Sequence, residues 1–142
     1  MSICFEKQIN TNSVLFNAGI TLREGNFESL TGFNLELQYR LFGRKNSDSS
    51  YYRFFLAPVV SYKYIDQLYI SNNTSNKYYY NDYSAGMVLG MRFLIFDGFI
   101  LTAELGGVLR YSHNNKGRAA SYFDPGYNGI APKADVTIGY FF

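Results

Sequence analysis

Cysteine is nearly absent from this chain: Cys4 is the only one among 142 residues. A single cysteine excludes a disulfide within the chain and leaves no cysteine cluster for a metal. Charged residues make up 17% of the chain, less than the quarter usual in soluble domains. Their net charge of +2 is too small to indicate a nucleic-acid partner. No apolar run approaches the roughly 18 residues that a membrane helix needs.

Tryptophan is missing and proline occurs only three times, whereas tyrosine and phenylalanine alone supply the 19% of aromatic residues. Tyr and Phe favour pleated, half-buried surfaces, so the composition favours strands. The length fits one domain covering residues 1–142, with no linker or low-complexity segment inside it. The chain is therefore expected to be a single all-β domain.

Apolar and polar residues alternate from end to end. In the last eleven residues, Ala134, Val136, Ile138, Tyr140 and Phe142 share one face, and the other face is polar or small except at Phe141. Similar alternation predicts about seven strands, most of membrane-spanning length, at 3–8, 16–23, 33–41, 53–64, 84–93, 99–112 and 132–142. Spreading apolar residues by alternation is how transmembrane β-barrels cross lipid.

The predicted connections differ in length from one to the next. Short turns are expected at 9–13, 44–50 and 97–98, and longer loops at 25–32, 66–82 and 113–131. Tight turns on one side and long loops on the other are typical of outer-membrane barrels. The pattern predicts an antiparallel, up-and-down transmembrane β-barrel.

Residue size indicates which face of the strands is inside. The polar face mixes several glycines with long charged residues of both signs, which suits a narrow interior where buried charges must be paired. The alternative is a soluble, lipocalin-like carrier of a small ligand, with apolar residues inside. The membrane interpretation predicts a structural ion-pair network in the lumen made of Glu6, Glu36, Arg40, Arg53, Arg92, Glu104, Arg110 and Asp135.

Several short segments carry a family resemblance. They are Leu37-Gln38-Tyr39-Arg40, Leu56-Ala57-Pro58 followed by Tyr62, Gly90-Met91-Arg92-Phe93, and the closing Ile138-Gly139-Tyr140-Phe141-Phe142. The chain resembles the small eight-stranded outer-membrane barrels of Gram-negative bacteria, of the OmpA/OmpX type, in the form found in Bacteroidota. The resemblance implies an outer-membrane location in contact with lipid and lipopolysaccharide. It also implies that Ala134, Val136, Ile138, Tyr140 and Phe142 form a signal for the barrel assembly machinery.

Two departures from that family lie at the beginning of the chain. No signal peptide is recognisable in the first residues. Bacterial single-chain barrels also have an even number of strands, whereas about seven are visible here of an expected eight. The sequence therefore predicts that a first strand is missing, with open edges on the strand containing Phe5 and on the 136–142 strand. The competing explanation is a further strand within 118–131, where residues 120–123 could pair.

The sequence contains few motifs for catalysis or ligand binding. It shows no metal-ligand spacing, phosphate-binding loop or nucleotide-binding motif, and it indicates no cofactor. The region from Arg110 to Asn115, with Asp124-Pro125-Gly126 further on, resembles lipid A deacylase barrels. Those enzymes carry a nucleophilic Ser where this chain has Asn115, and an Asn cannot attack an ester. We therefore expect no catalytic site, a lumen filled by side chains, and a surface-loop binding or envelope-stabilising role. The deacylase-like enzyme with His113 and the soluble carrier are the alternatives.

Overall fold

Seven strands account for most of the described chain. The computed structural model describes residues 2–24, 28–43, 52–71, 74–96, 98–114 and 126–140. The strands are β1 Ser2–Ile9, β2 Asn12–Glu24, β3 Glu28–Phe42, β4 Tyr52–Ser71, β5 Thr74–Phe96, β6 Phe99–Asn114 and β7 Gly129–Tyr140. They form one antiparallel sheet in chain order, which confirms the predicted all-β, up-and-down arrangement. Among these residues, no helix is long and apolar enough to cross a membrane.

The hairpin of β4 and β5 corrects the loop predicted at 66–82. Its ladder continues without interruption from Tyr52 opposite Phe93 to Ser71 opposite Thr74. Tyr and Ile in this stretch favour strands, and pairing satisfies the backbone hydrogen bonds that a loop would leave to water. Residues 74–79 of β5 precede the ladder with β6, and among the described residues they pair with β4, whose facing end also pairs with the start of β3. Strands also extend into the loops predicted at 25–32 and 113–131, because β3 already begins at Glu28 and β7 at Gly129.

Two of the predicted short turns lie at the opposite end of the sheet. Ile9 pairs with Asn12, so only Asn10 and Thr11 connect β1 to β2. Asn10 has a φ of 56°, a left-handed conformation that Asn tolerates better than most residues. Gly98 has a φ of 87° between β5 and β6, where glycine avoids a steric cost. The turn predicted at 44–50 and the alternative strand at 120–123 lie outside the described residues.

Side-chain contacts show that the sheet curls strongly. Arg92 of β5 reaches Glu6 of β1, and Gln38 of β3 reaches Glu104 of β6, although neither pair belongs to neighbouring strands. A flat sheet would separate strands three apart by about 14 Å, so the face that carries these residues must be concave. We call this concave side the inner face and the convex side the outer face. The sheet is not closed, because no ladder joins β1 to β7 among the described strands.

Candidate functional site on the inner face

Charged residues from five strands meet on the inner face. Arg40 lies at the centre, with Nη1 3.1 Å from Glu6 Oε2 and Nη2 3.2 Å from Glu104 Oε2. Lys133 Nζ lies 3.0 Å from Glu36 Oε2 and 3.3 Å from Glu104 Oε1. Arg92 completes the group through its contact with Glu6. Three carboxylates therefore face three cations, and we call these six residues with Gln38 the ionic cluster.

Gln38 adds hydrogen bonds to a cluster whose six charged members are already joined by ion pairs. Its Nε2 donates to Glu36 Oε1 and to Glu104 Oε1, both at 2.8 Å, and its Oε1 accepts from Arg40 Nε at 3.0 Å. Gln38, Arg40 and Glu104 are buried. A buried charge is tolerated when it is paired and its remaining polar atoms are hydrogen-bonded. Arg40 and Glu104 meet both conditions, whereas Arg92 Nε is buried without a hydrogen-bond partner among the described residues. The arrangement is a balanced network whose acids and bases are all engaged with one another.

Five of the eight residues predicted for the network come together in it: Glu6, Glu36, Arg40, Arg92 and Glu104. Three others lie elsewhere on the inner face. Arg53 donates to the Thr11 carbonyl at 3.2 Å and lies over the Phe42 ring, with its guanidinium carbon 4.5 Å from the ring centroid. Arg110 pairs in register with Ser84, further along the sheet. Asp135 lies on β7 beside the open side of the sheet.

Sequence reasoning missed Lys133 and Gln38. Lys133 shares the face of Asp135 in the alternating terminal strand, so its position could have been identified from the same pattern. Gln38 occupies the polar face of β3 between Glu36 and Arg40, and its period-2 spacing places it on the inner face. What the pattern could not indicate is that Gln38 meets Glu104, which lies 66 residues away along the chain.

A second group on the inner face is apolar. It comprises Phe55, Ala57, Val59, Val88, Val108 and Ala131, with Phe42 and Tyr127 packed against it. None of its six members exposes more than 6% of its surface. We call these six residues the apolar cluster. The sequence indicates this cluster at two places in β4 where consecutive residues are apolar, Phe54-Phe55 and Val59-Val60. Consecutive apolar residues place one apolar side chain on each face of the strand.

Phe55 joins the apolar cluster to the ionic cluster. The Arg40 guanidinium carbon lies 4.7 Å from the centroid of the Phe55 ring, and the Phe42 ring lies 5.4 Å from the same ring. Gly90, directly opposite Phe55 in the ladder, leaves the space that this ring occupies. An aromatic ring that covers a cross-strand glycine shields its backbone from water. The two clusters are therefore in contact on the inner face.

The described residues contain only part of the deacylase-like alternative. His113 is exposed, whereas the neighbouring Ser112 points to the opposite face and is buried. Asn128 holds the Ser112 backbone, accepting from its N–H at 2.6 Å and donating to its carbonyl at 3.3 Å. Asn115 and Asp124 lie outside the described residues. Within the described ranges, no group of three acidic, His or Cys side chains is placed to hold a metal ion.

The residues expected to signal to the assembly machinery lie on the outer face of β7. Val136, Ile138 and Tyr140 are each at least half exposed, and Ala134 is exposed beside them. Phe142 lies outside the described residues. Comparisons with models of protein families, with curated proteins and with solved structures found no match. The resemblance to outer-membrane barrels and the role of this strand in assembly stay predictions.

Proposed function

We propose that the chain is a non-enzymatic outer-membrane β-barrel protein whose interior is filled by its own side chains. The observation that carries this proposal is the outer face, where large apolar side chains are exposed along every strand. Those at least half exposed include Ile3, Phe5, Ile20, Leu22, Phe54, Val60, Met87, Leu89, Leu105, Leu109, Ile130, Val136 and Ile138. Soluble monomers rarely expose contiguous apolar surface on this scale, whereas lipid acyl chains would cover it.

The distribution of charge supports the membrane proposal over the soluble carrier. A lipocalin-like carrier places apolar residues inside, where its ligand binds, and polar residues in water. Here Leu35, Leu37 and Leu105 are exposed on the outer face, while Arg40 and Glu104 are buried on the inner face. In water such a molecule would expose its apolar side and bury its charges. In lipid the same arrangement is favourable.

The proposed function resides in two parts of the chain, the end of the β4–β5 hairpin and the connection between β6 and β7. The end of the β4–β5 hairpin carries Tyr78 and Tyr79 and the exposed Lys77, which lies 2.9 Å from Asp66. Aromatic and polar side chains on a rigid ladder can contact a partner without ordering a flexible loop. We infer a surface-binding or envelope-stabilising role for this hairpin end and for the connection between β6 and β7.

Leu105→Arg tests the membrane location. Leu105 lies near the middle of β6 on the outer face and is 67% exposed. An arginine near the bilayer midplane destabilises a barrel by about 2–4 kcal/mol, and one near the interface by about 0–1 kcal/mol. Ile130→Arg, on the same face at the start of β7, is the matched control. Urea titrations of folding into phosphatidylcholine vesicles, followed by circular dichroism, should show a large loss for Leu105→Arg and a small one for Ile130→Arg. Equal, negligible effects would contradict the proposal.

Two further measurements separate the alternatives. Because the ionic and apolar clusters occupy the inner face, we expect no sustained single-channel conductance from the protein in planar bilayers. Incubation with lipopolysaccharide, followed by mass spectrometry of released acyl chains, should show no hydrolysis. Acyl release that is lost in His113→Ala would replace the proposal with the deacylase alternative.

A further inference from the structure

The outer face of β4, β5 and β6 carries acidic and basic side chains at one end only. Among the described residues of these strands they are Asp66, Lys77 and His113, all towards the end of the β4–β5 hairpin. The other acidic and basic residues described on the three strands lie on the inner face: Arg53, Lys63, Asp82, Arg92, Glu104 and Arg110. Most of the outer face of β4, β5 and β6 is therefore uncharged.

A row of tyrosines borders the charged end. Tyr62 of β4 lies opposite Tyr83 of β5, which in turn lies opposite Tyr111 of β6. The ring centroids of Tyr62 and Tyr83 are 5.1 Å apart, and the Tyr62 hydroxyl donates to Asn81 Oδ1 at 2.8 Å, on the charged side of the row. Tyrosine has an apolar ring and a polar hydroxyl, so it suits a boundary between an apolar and an aqueous region. We call these three tyrosines the hairpin-side row.

A second aromatic row lies at the other end of the outer face, near the turn between β5 and β6. Tyr52 is opposite Phe93, and Phe99 is opposite Tyr140, whose ring centroid lies 5.1 Å from that of Phe99. We call these four residues the turn-side row. The outer positions of β4, β5 and β6 between the two rows form what we call the outer belt: Phe54, Leu56, Pro58, Val60, Ala85, Met87, Leu89, Met91, Leu101, Ala103, Leu105, Gly107 and Leu109.

The height of the outer belt matches the hydrocarbon core of a bilayer. Tyr62 follows Tyr52 by ten residues on β4, and Tyr111 follows Phe99 by twelve on β6. At the rise of a strand these intervals measure roughly 33–40 Å, which a tilt of about 40° reduces to about 25–30 Å along the membrane normal. Charge complementarity selects lipid as the occupant, because the uncharged belt suits acyl chains and the charged end suits headgroups and water.

We propose that the outer belt fixes the depth of the protein in a bilayer, with the hairpin-side row at the headgroup level of one leaflet and the turn-side row at that of the other. This inference rests on the proposed membrane location and assigns which part of each strand lies in lipid. Residues 65–71 of β4, paired with 74–80 of β5, then lie outside the hydrocarbon. They measure roughly 23 Å along the strand, more than the roughly 5–8 Å of a headgroup layer. The Asp66–Lys77 pair is therefore in water.

Single tryptophans can report this depth, because the chain contains none. Leu89→Trp places one in the middle of the outer belt, Tyr83→Trp in the hairpin-side row and Tyr79→Trp on the hairpin beyond it. Each variant is folded into phosphatidylcholine vesicles whose acyl chains are brominated either near the headgroup or near the methyl end, and circular dichroism checks the fold. We expect emission from Leu89→Trp to be lost most to the deep bromines and that from Tyr83→Trp to the shallow ones. Tyr79→Trp should be quenched by acrylamide in the water and by neither brominated lipid.

The tryptophan results separate the depth from the membrane location itself. Strongest quenching of Tyr83→Trp by the deep bromines, or of Leu89→Trp by the shallow ones, would overturn the assigned depth while leaving the protein in lipid. Quenching of all three variants by acrylamide, with none by either brominated lipid, would overturn both the depth and the proposed function, because no part of the outer face would then contact acyl chains.

A pair of arginine variants tests whether the belt is centred on the bilayer. Leu101 and Leu109 lie on the outer face of β6, each four residues from Leu105 and inside the two rows. The cost of an arginine falls from the bilayer midplane towards either interface. Leu101→Arg and Leu109→Arg should therefore lower the unfolding midpoint in phosphatidylcholine vesicles by similar amounts, each less than Leu105→Arg does. Either variant as destabilised as Leu105→Arg would overturn the assigned depth, and the loss in Leu105→Arg would still support the membrane location.

Discussion

The ionic cluster and the apolar cluster fill adjacent parts of the same inner face by different means. In the ionic cluster each charged group has a partner of opposite sign, and Gln38 satisfies the atoms between them. The apolar cluster contains no polar side chain and relies on contact between Phe55 and small or branched neighbours. The ionic cluster is stabilised by specific pairs of atoms, whereas the apolar cluster is stabilised by side chains that fill the available volume. Removing an ion-pair partner and overfilling the apolar cluster should therefore lower the free energy of unfolding by different amounts.

The largest effect is expected where two buried carboxylates lose the cation that they share. Arg40 is 2% exposed and contacts both Glu6 and Glu104. Arg40→Met would leave two carboxylates on the inner face without their shared cation, and breaking a buried pair in this way costs about 3–5 kcal/mol. Urea titrations of the protein folded in vesicles should show this loss as a lower unfolding midpoint.

The double variant Arg40→Met/Glu104→Gln is the control for that result. It removes the charge of Glu104, which in the single variant keeps only Lys133 as its cation, so part of the lost free energy of unfolding should return. A single variant as stable as the parent protein would show that the ionic cluster does not stabilise the interior through charge pairing.

A smaller effect is expected where the apolar cluster loses space. A Cβ at Gly90 would overlap the Phe55 ring, which Phe42 and the rest of the cluster hold in place. Overpacking of a filled core typically costs about 1–3 kcal/mol, and Gly90→Ala should lower the unfolding midpoint accordingly. Gly139→Ala is the matched control, because a Cβ there meets no atom within 4 Å. Similar midpoints for both variants would indicate that the Phe55 ring moves aside.

The smallest effect is expected for an ion pair outside both clusters. Lys77 pairs with Asp66 near the end of the β4–β5 hairpin, and the hydrogen bond and charge of Asp66 raise the pKa of Lys77 above its usual value. The raised pKa means that the pair stabilises the fold below the ordinary lysine pKa and loses this effect as pH rises through the folded value.

Because the Lys77 side chain is largely exposed, water and salt screen its charge. Lys77→Met should leave the unfolding midpoint at pH 7 unchanged within error. A decrease in the unfolding midpoint comparable to that of Gly90→Ala would show that this exposed ion pair contributes as much to stability as packing in the apolar cluster does.

The faces of the strands were predictable because the side-chain period of a strand is local. Alternation placed Glu6, Arg40 and Glu104 on one face and Leu35, Leu105 and Val136 on the other, as the structure has them. The same rule failed at 66–82, where a polar composition suggested a loop. There the pairing of β4 with β5, rather than the local composition, decided the conformation.

The sequence by itself determined the strands outside 66–82, their order and the side to which each of their residues points, because these depend on neighbours along the chain. Only the tertiary structure decided which inward residues meet. Gln38 reaches Glu104 and Arg92 reaches Glu6 because the sheet curls and its strands are staggered, and no local pattern encodes that stagger. The same curl gathered Phe55, Val88 and Ala131 into one cluster and left β1 and β7 at the two ends of the sheet formed by the described strands.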